Sequence, residues 1–317
     1  MRRSKAIRAT AWGVVAVGVL TPLVRRKVNA PPLVLQTVAF CAPVGLCVAV
    51  PRSRTRDVAT CCLQMWAYVA AYKTPNDDAV AQAQRVHIDY PIAIDRALGL
   101  GELPSTRLQR RLARVGPDGP RWHTLDKTLV WTHWLWFAMP HAALAYIMAR
   151  HPRRFDRAAT LTYATFDIGA MIYWVLPTAP PWYAASAPAN GRTIEVRRMM
   201  VEYGETFWRD RWGPLYSVLG GNPLAAMPSL HFATSMMAAL LLAESGPVAG
   251  ALGWAYTSTL GFALVYLGEH YLADLLGGAA LTIAVRRLAP PAAPALRCAA
   301  RGVATLEAIA YGGEDGR

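Results

Sequence analysis

The strongest constraint on this chain is a succession of apolar runs, each near the length of a bilayer crossing and each flanked by charge. They lie near 9–24, 32–50, 57–74, 128–149, 158–177, 229–243 and 250–267, with an eighth at 271–285. A helix needs about 20 residues to cross the hydrocarbon core. Composition agrees: 54% of residues are hydrophobic and 17% charged, against about a quarter charged in soluble domains. At 317 residues two soluble domains are possible, but the hydropathy pattern favours one helical bundle. The expected fold is all-α, a polytopic integral membrane bundle of about six to eight transmembrane helices, with interfacial helices on the extracytoplasmic face.

Charge sets the orientation. The net charge is +13, and 29 of the 33 basic residues are arginine, a bias that fits a GC-rich genome. The basic residues bracket apolar runs and form no recognised nucleic-acid motif, so anionic lipid head groups are the expected partner and nucleic acid is not. The run ending at Ile283 is followed by Arg286 and Arg287, which puts that end in the cytoplasm by the positive-inside rule. Counting back, Arg150, Arg153, Arg154 and Arg157 also fall inside, whereas the PSLH at 228–231 and His270 fall outside. Arg25, Arg26 and Lys27 run against this scheme, which places them outside. The opening MRRSKAIR with the apolar run after it and a VNA site at 28–30 is similar to a signal peptide, but RRK at 25–27 intervenes, so an uncleaved anchor is expected.

The chain divides by pattern into an N-terminal membrane anchor with an interfacial basic segment (1–120), a catalytic membrane domain (121–290) and a cytoplasmic tail (291–317). Two polar stretches, about 75–127 and 178–227, are expected outside. In the first, apolar residues recur at helical spacing with Arg107, Arg110, Arg111 and Arg114 interleaved, as in a helix lying in the interface or a solvated loop helix. The second is rich in Trp, Tyr and Arg, which suits the head-group level. Cys41, Cys47, Cys61, Cys62 and Cys298 lack metal-ligand spacing with histidine and read as packing residues.

Chemistry concentrates in two short motifs. In GEHYLADLLGG (268–278), His270 and Asp274 are four apart and share a helix face. A carboxylate on one imidazole nitrogen fixes the tautomer and leaves the other to attack or to accept a proton. The bland alternative is a histidine that caps or solvates a helix end. In NPLAAMPSLHFATSMM (222–237), Ser229 after Pro228 fits a helix N-cap, which puts His231 in the first turn beside unpaired amides that can seat a phosphate. There it can protonate a leaving group, or the motif is only a capped helix start.

Together, PSLH and YLGEHYLADLLGG resemble the second and third signature motifs of the type 2 phosphatidic acid phosphatase superfamily. Tyr266 four before His270, and Tyr271 after it, resemble the inositol phosphorylceramide synthase-like branch, and YWVLPTAPPWYAAS at 173–186 resembles its bacterial members, which implies a bacterial cell membrane. The resemblance covers about residues 120–290. It implies that His270 attacks phosphorus to form a phosphohistidine, Asp274 orients it, His231 protonates the departing oxygen and Ser229 helps seat the phosphate. The sequence departs from the phosphatase branch, which carries a Ser-Arg pair where Ala263 and Leu264 stand here. The first motif, with its Lys and Arg-Pro, is also missing, and PTAPPW occupies its place. Fewer cationic clamps favour a phosphodiester over a phosphate monoester. Arg197, Arg198, Arg209 or Arg211 are candidates to supply charge, Asn222 to order the loop into PSLH, and Tyr266 to contact substrate. His133 and His141 are candidates for a substrate pocket or for interhelical hydrogen bonds.

The implied activity is transfer of a phospho-head group, with inositol phosphate the expected group, from a phospholipid donor to a lipid hydroxyl acceptor. Hydrolysis of a lipid phosphate such as phosphatidate or a polyprenyl phosphate is the alternative. A transporter or scaffold is the alternative from another class, since membrane histidines and aspartates also mark transport routes. Phosphoryl transfer through histidine needs no metal, so no cofactor is expected.

Overall fold

The computed structural model describes residues 2–28, 30–186 and 194–311. Residue 29 of the VNA site, part of the second polar stretch (187–193) and residues 312–317 of the tail lie outside the described residues. The architecture is all-α, apart from one hairpin of three-residue strands. Contacts divide the chain into two units, residues 1–77 with 286–317, and residues 78–285.

The smaller unit holds α1 (Arg2–Val24), α2 (Pro32–Ala49) and α3 (Arg54–Lys73), followed by a 3₁₀ turn, Thr74–Asp78. Arg25 and Arg26 both bind the Asp77 carboxylate at 2.7 Å, which offsets part of the charge that opposes the orientation rule. Burial alone would raise Asp77, but hydrogen bonds and charge from the two arginines hold it below the usual carboxylate range.

The larger unit runs through α4 (Ala79–Arg85), α5 (Asp89–Leu98), α6 (Pro104–Leu112), the hairpin β1 (Arg114–Gly116) and β2 (Gly119–Arg121), α7 (Thr124–Leu135), α8 (Met139–Arg150), α9 (Pro152–Val175), α10 (Pro181–Ser186), α11 (Met199–Trp208), α12 (Trp212–Leu219), α13 (Leu230–Ser245) and α14 (Pro247–Tyr266). The last helix, α15 (Leu272–Tyr311), begins in this unit. Proline stands at the first or second position of α2, α6, α8, α9 and α14, where its missing N–H has no intrahelical partner to lose. Around α13 pack α8, α9 and α14, and α14 packs on α6 and α7.

Two elements differ from the sequence expectation. The run at 128–149 is not one helix but two, α7 and α8, with a break at residues 136–138. Pro140 accounts for it: inside a continuous helix its ring would meet the Trp136 carbonyl four residues back and its missing N–H would leave that carbonyl unbonded, whereas in the first turn of α8 neither matters. The Pro/Ala-rich segment after residue 287 is helical, and Pro290, Pro291 and Pro294 all lie inside α15.

Three helical stretches are long and apolar enough to cross a bilayer, namely Ser4–Val24, Pro32–Ala49 and Pro247–Tyr266, and Leu230–Ser245 is apolar but shorter. At 1.5 Å per residue, the 16 residues of α13 reach about 24 Å, short of the roughly 30 Å hydrocarbon core.

Candidate active site

The two motifs meet where α13 and α15 begin. Ser229 is the N-cap of α13: its hydroxyl accepts the Phe232 N–H at 3.3 Å, and its own N–H donates to the Asp274 carbonyl at 2.9 Å. His231 therefore sits in the first turn. The Tyr173 hydroxyl donates to the Pro228 carbonyl at 2.6 Å and accepts the Leu230 N–H at 3.3 Å. With the Leu230 and Phe232 amides already engaged, the turn offers a phosphate fewer free donors than the sequence suggests. Upstream, Thr178 pairs with Leu224 and Ala226 through its backbone, so the PTAP stretch clamps the loop that leads into PSLH.

His231 Nδ1 lies 3.2 Å from His270 Nε2. Behind it, His270 Nδ1 lies 3.1 Å from Asp274 Oδ2, which also accepts the Tyr271 N–H at 2.9 Å. With Asp274 ionised, and so accepting only, this network assigns the His270 proton to Nδ1 and leaves a lone pair on Nε2; the facing His231 Nδ1 then carries a proton. On its far side the His231 ring contacts Trp136, with centroids 4.1 Å apart, and stacks on His133 at 4.9 Å. Both nitrogens of His133 are buried without a hydrogen-bond partner among the described residues.

The break between α7 and α8 builds this wall. It lets His133 and Trp136 face His231, while His141, beyond the break, stacks on Phe166. The Trp136 indole is anchored by its N–H to Thr234 Oγ1 at 2.9 Å.

Arg198 flanks the histidines. Its guanidinium forks onto Glu269, with Nε to Oε1 at 3.0 Å and Nη2 to Oε2 at 3.2 Å, and lies 3.7 Å above the Trp182 ring. Burial works against the Arg198 charge, but Glu269 more than offsets it and holds the group above its ordinary value. Asn222 is buried and accepts from Gln82 Nε2 and the Leu224 N–H, both at 2.9 Å, so it orders the loop into PSLH. Tyr266 is fully buried, and its hydroxyl donates to Asp126. Arg211 is exposed on the 3₁₀ turn Arg209–Arg211 and makes no ion pair among the described residues. Arg209 is exposed on the same turn, and Arg197 pairs with Glu202. Among the described residues, no three His, Cys, Asp or Glu side chains converge as a metal site.

A family model of the PAP2 superfamily matches residues 123–288. The chain belongs to the PAP2 superfamily. Among similar proteins are the catalytic subunit of inositol phosphorylceramide synthase of Schizosaccharomyces pombe, 30% identical over 122 residues (36% of this chain, 28% of the relative), and the inositol phosphorylceramide synthase of Candida albicans, 28% identical over 157 residues (47% and 32%). The catalytic subunit from Saccharomyces cerevisiae is 27% identical over 124 residues (37% and 30%). The chain thus spans about a third of the length of the curated relatives it matches. No solved structure matches it.

Several supports of this candidate site escape sequence reasoning. Asp95, fully buried on α5, accepts the Leu272 N–H at 2.9 Å and the Ala273 N–H at 2.7 Å, capping the helix that carries Asp274. Gln109 on α6 donates to the carbonyls of Arg197 and Tyr266 and accepts the Arg197 N–H, each at 2.9 Å. Both lie before the family match. Their only sequence signal is a polar residue on a helix whose apolar positions already suggest a buried face. Gly268 has φ +78, and a Cβ there would sit 2.4 Å from the Arg197 carbonyl, so the turn before His270 requires glycine.

Proposed function

We propose that this chain is an integral membrane phosphotransferase that moves a phospho-head group from a phospholipid to a lipid hydroxyl. In this reading His270 Nε2 attacks phosphorus in the donor, and the P–O bond to the diacylglycerol breaks. His231 gives its Nδ1 proton to that departing oxygen, leaving the head group as a phosphohistidine. Asp274 holds the His270 Nδ1–H and offsets the charge that develops on the ring. The acceptor hydroxyl then surrenders its proton to His231 and attacks phosphorus, which breaks the P–N bond and restores both rings. Ser229 holds the α13 turn, Asn222 the loop before it, and Arg198, forked onto Glu269, borders the phosphate. The carrying observation is the row Asp274–His270–His231, with both imidazole contacts close to 3 Å.

The relatives named as inositol phosphorylceramide synthases support phosphatidylinositol as donor and a ceramide-like alcohol as acceptor. Polytopic insertion with six to eight crossings, interfacial helices and the histidines at the extracytoplasmic face of a bacterial cell membrane complete the reading, on the arginine pattern given above. Residues 1–120 then serve chiefly as anchor and 291–317 as a cytoplasmic tail, around the catalytic stretch 121–290.

Purified protein given labelled phosphatidylinositol, with and without ceramide or diacylglycerol, tests the proposal against a lipid phosphate monoester assayed separately. The expected result is acceptor-dependent transfer that His270→Ala abolishes. Free phosphate released only from the monoester overturns transfer in favour of hydrolysis. No turnover of any substrate, with His270→Ala indistinguishable from wild type in cells, overturns both enzyme readings.

A further inference from the structure

Glu269 has no part in the chemistry above, yet it stands immediately before the nucleophile and is only 8% exposed. Its backbone N–H and that of His270 both donate to the Leu264 carbonyl at 3.1 Å, so the carboxylate is fixed relative to the His270 ring. Both of its oxygens are taken by the Arg198 fork. The guanidinium is gripped in turn by the Trp182 face at 3.7 Å and by Tyr216, 5.5 Å from its ring centroid. Arg198 and Glu269 both lie within electrostatic range of His133, whose ring stacks on His231. The pair therefore stands beside the two histidines, at whose 3.2 Å contact a phosphate must enter.

This arrangement cancels the cation nearest the histidines. A guanidinium binds a phosphate best through the same two-pronged fork it here gives to a carboxylate. A phosphate monoester carries about 1.5 to 2 negative charges at neutral pH; a phosphodiester carries one. The larger charge would meet the Glu269 and Asp274 carboxylates with Arg198 already neutralised, in surroundings where like charges repel more strongly than in water. Ala263 and Leu264, both fully buried, offer no compensating cation.

We propose that Glu269 is a specificity-determining residue: by holding Arg198 it excludes phosphate monoesters and admits phosphodiesters. The inference rests on the reading of His231 and His270 as the phosphate-transferring pair. It adds a repulsive element to the site, the kind of device by which binding sites discriminate between close relatives.

The test compares wild type, Glu269→Gln and Glu269→Asp on labelled phosphatidylinositol with a lipid alcohol, and on phosphatidate. Removing one nearby negative charge is expected to raise the monoester-to-diester ratio of kcat/KM by roughly ten- to hundredfold, mainly through KM for the monoester. Glu269→Asp, which keeps the charge, retains the wild-type preference. An unchanged ratio in folded Glu269→Gln, or a parallel loss of both activities, overturns the proposal. Competition tests it on the unaltered chain: a soluble phosphate monoester should inhibit diester turnover at least about tenfold more weakly than a phosphodiester of the same alcohol. Equal or tighter inhibition by the monoester overturns it. If wild type turns over neither substrate, the reading of the histidine pair fails; if it turns over the diester while the ratio stays fixed, only the role of Glu269 fails.

Discussion

His133 carries an imidazole whose two nitrogens are both buried and unbonded among the described residues, pressed against the ring of His231. Leaving buried polar groups unsatisfied costs about 1–3 kcal/mol, so a residue serving only to pack would be better apolar. His133→Phe is expected to raise the apparent melting temperature in detergent while lowering transfer by at least about tenfold, as when a hydrogen bond to substrate is lost. Full activity in a stabilised variant would end the case for substrate contact. His231→Ala should cost about 10²–10⁴ in turnover, and in a single turnover most of the loss in release of the departing alcohol should disappear with a donor whose alcohol is acidic and needs no proton. A loss independent of the leaving group would remove His231 from the role of acid. His231, His270 and Asp274 stood out in the sequence because a cap, a first turn and an i, i+4 spacing require only local rules, although His270 lies just before α15 and not on a shared helix face. Glu269 stood in the same quoted motif but meant nothing there, because its partner Arg198 lies 71 residues away.

At the scale of elements, α15 begins correctly because α5 supplies its cap. Burial pushes the Asp95 carboxyl up to about 6 from its ordinary 3.8; the Ala273 and Leu272 amides work against this shift and the Asp274 charge adds to it. The unfolded chain releases the proton near its ordinary value, so between about pH 4 and 6 the folded state binds more protons and stability falls as pH rises. Asp95→Asn lacks this titration. Its stability relative to wild type should therefore climb through that window, by up to about 3 kcal/mol, and level off above it. Thermal unfolding in detergent at several pH values measures this, and a difference that does not vary with pH excludes the linkage. The apolar runs announced most helices, although Pro140 splits the one at 128–149 in two. What could not be read was that α5 and α6 turn Asp95 and Gln109 onto backbone groups of 266–273, since no side-chain pattern marks a distant amide or carbonyl as a partner.

For the whole molecule, the arginine pattern makes a directional claim. A membrane-impermeant thiol reagent should label Cys298, which is exposed on α15, only after the membrane is opened. A cysteine placed at exposed Ser217 on α12, in a chain otherwise free of cysteine, should react from outside in intact cells. The reverse pattern would place the histidines at the cytoplasmic face. The all-α class and the meeting of the two motifs follow from hydropathy and charge alone. The partition into two units does not, because it depends on which helices touch. In the row Asp274–His270–His231, the nucleophilic nitrogen faces one imidazole proton donor, so on the proposed mechanism the departing alcohol and the arriving one must use the same side of phosphorus. Each displacement inverts the phosphorus centre. Two inversions restore it, so a donor made chiral at phosphorus with sulfur and oxygen isotopes would hand on its head group with the original handedness.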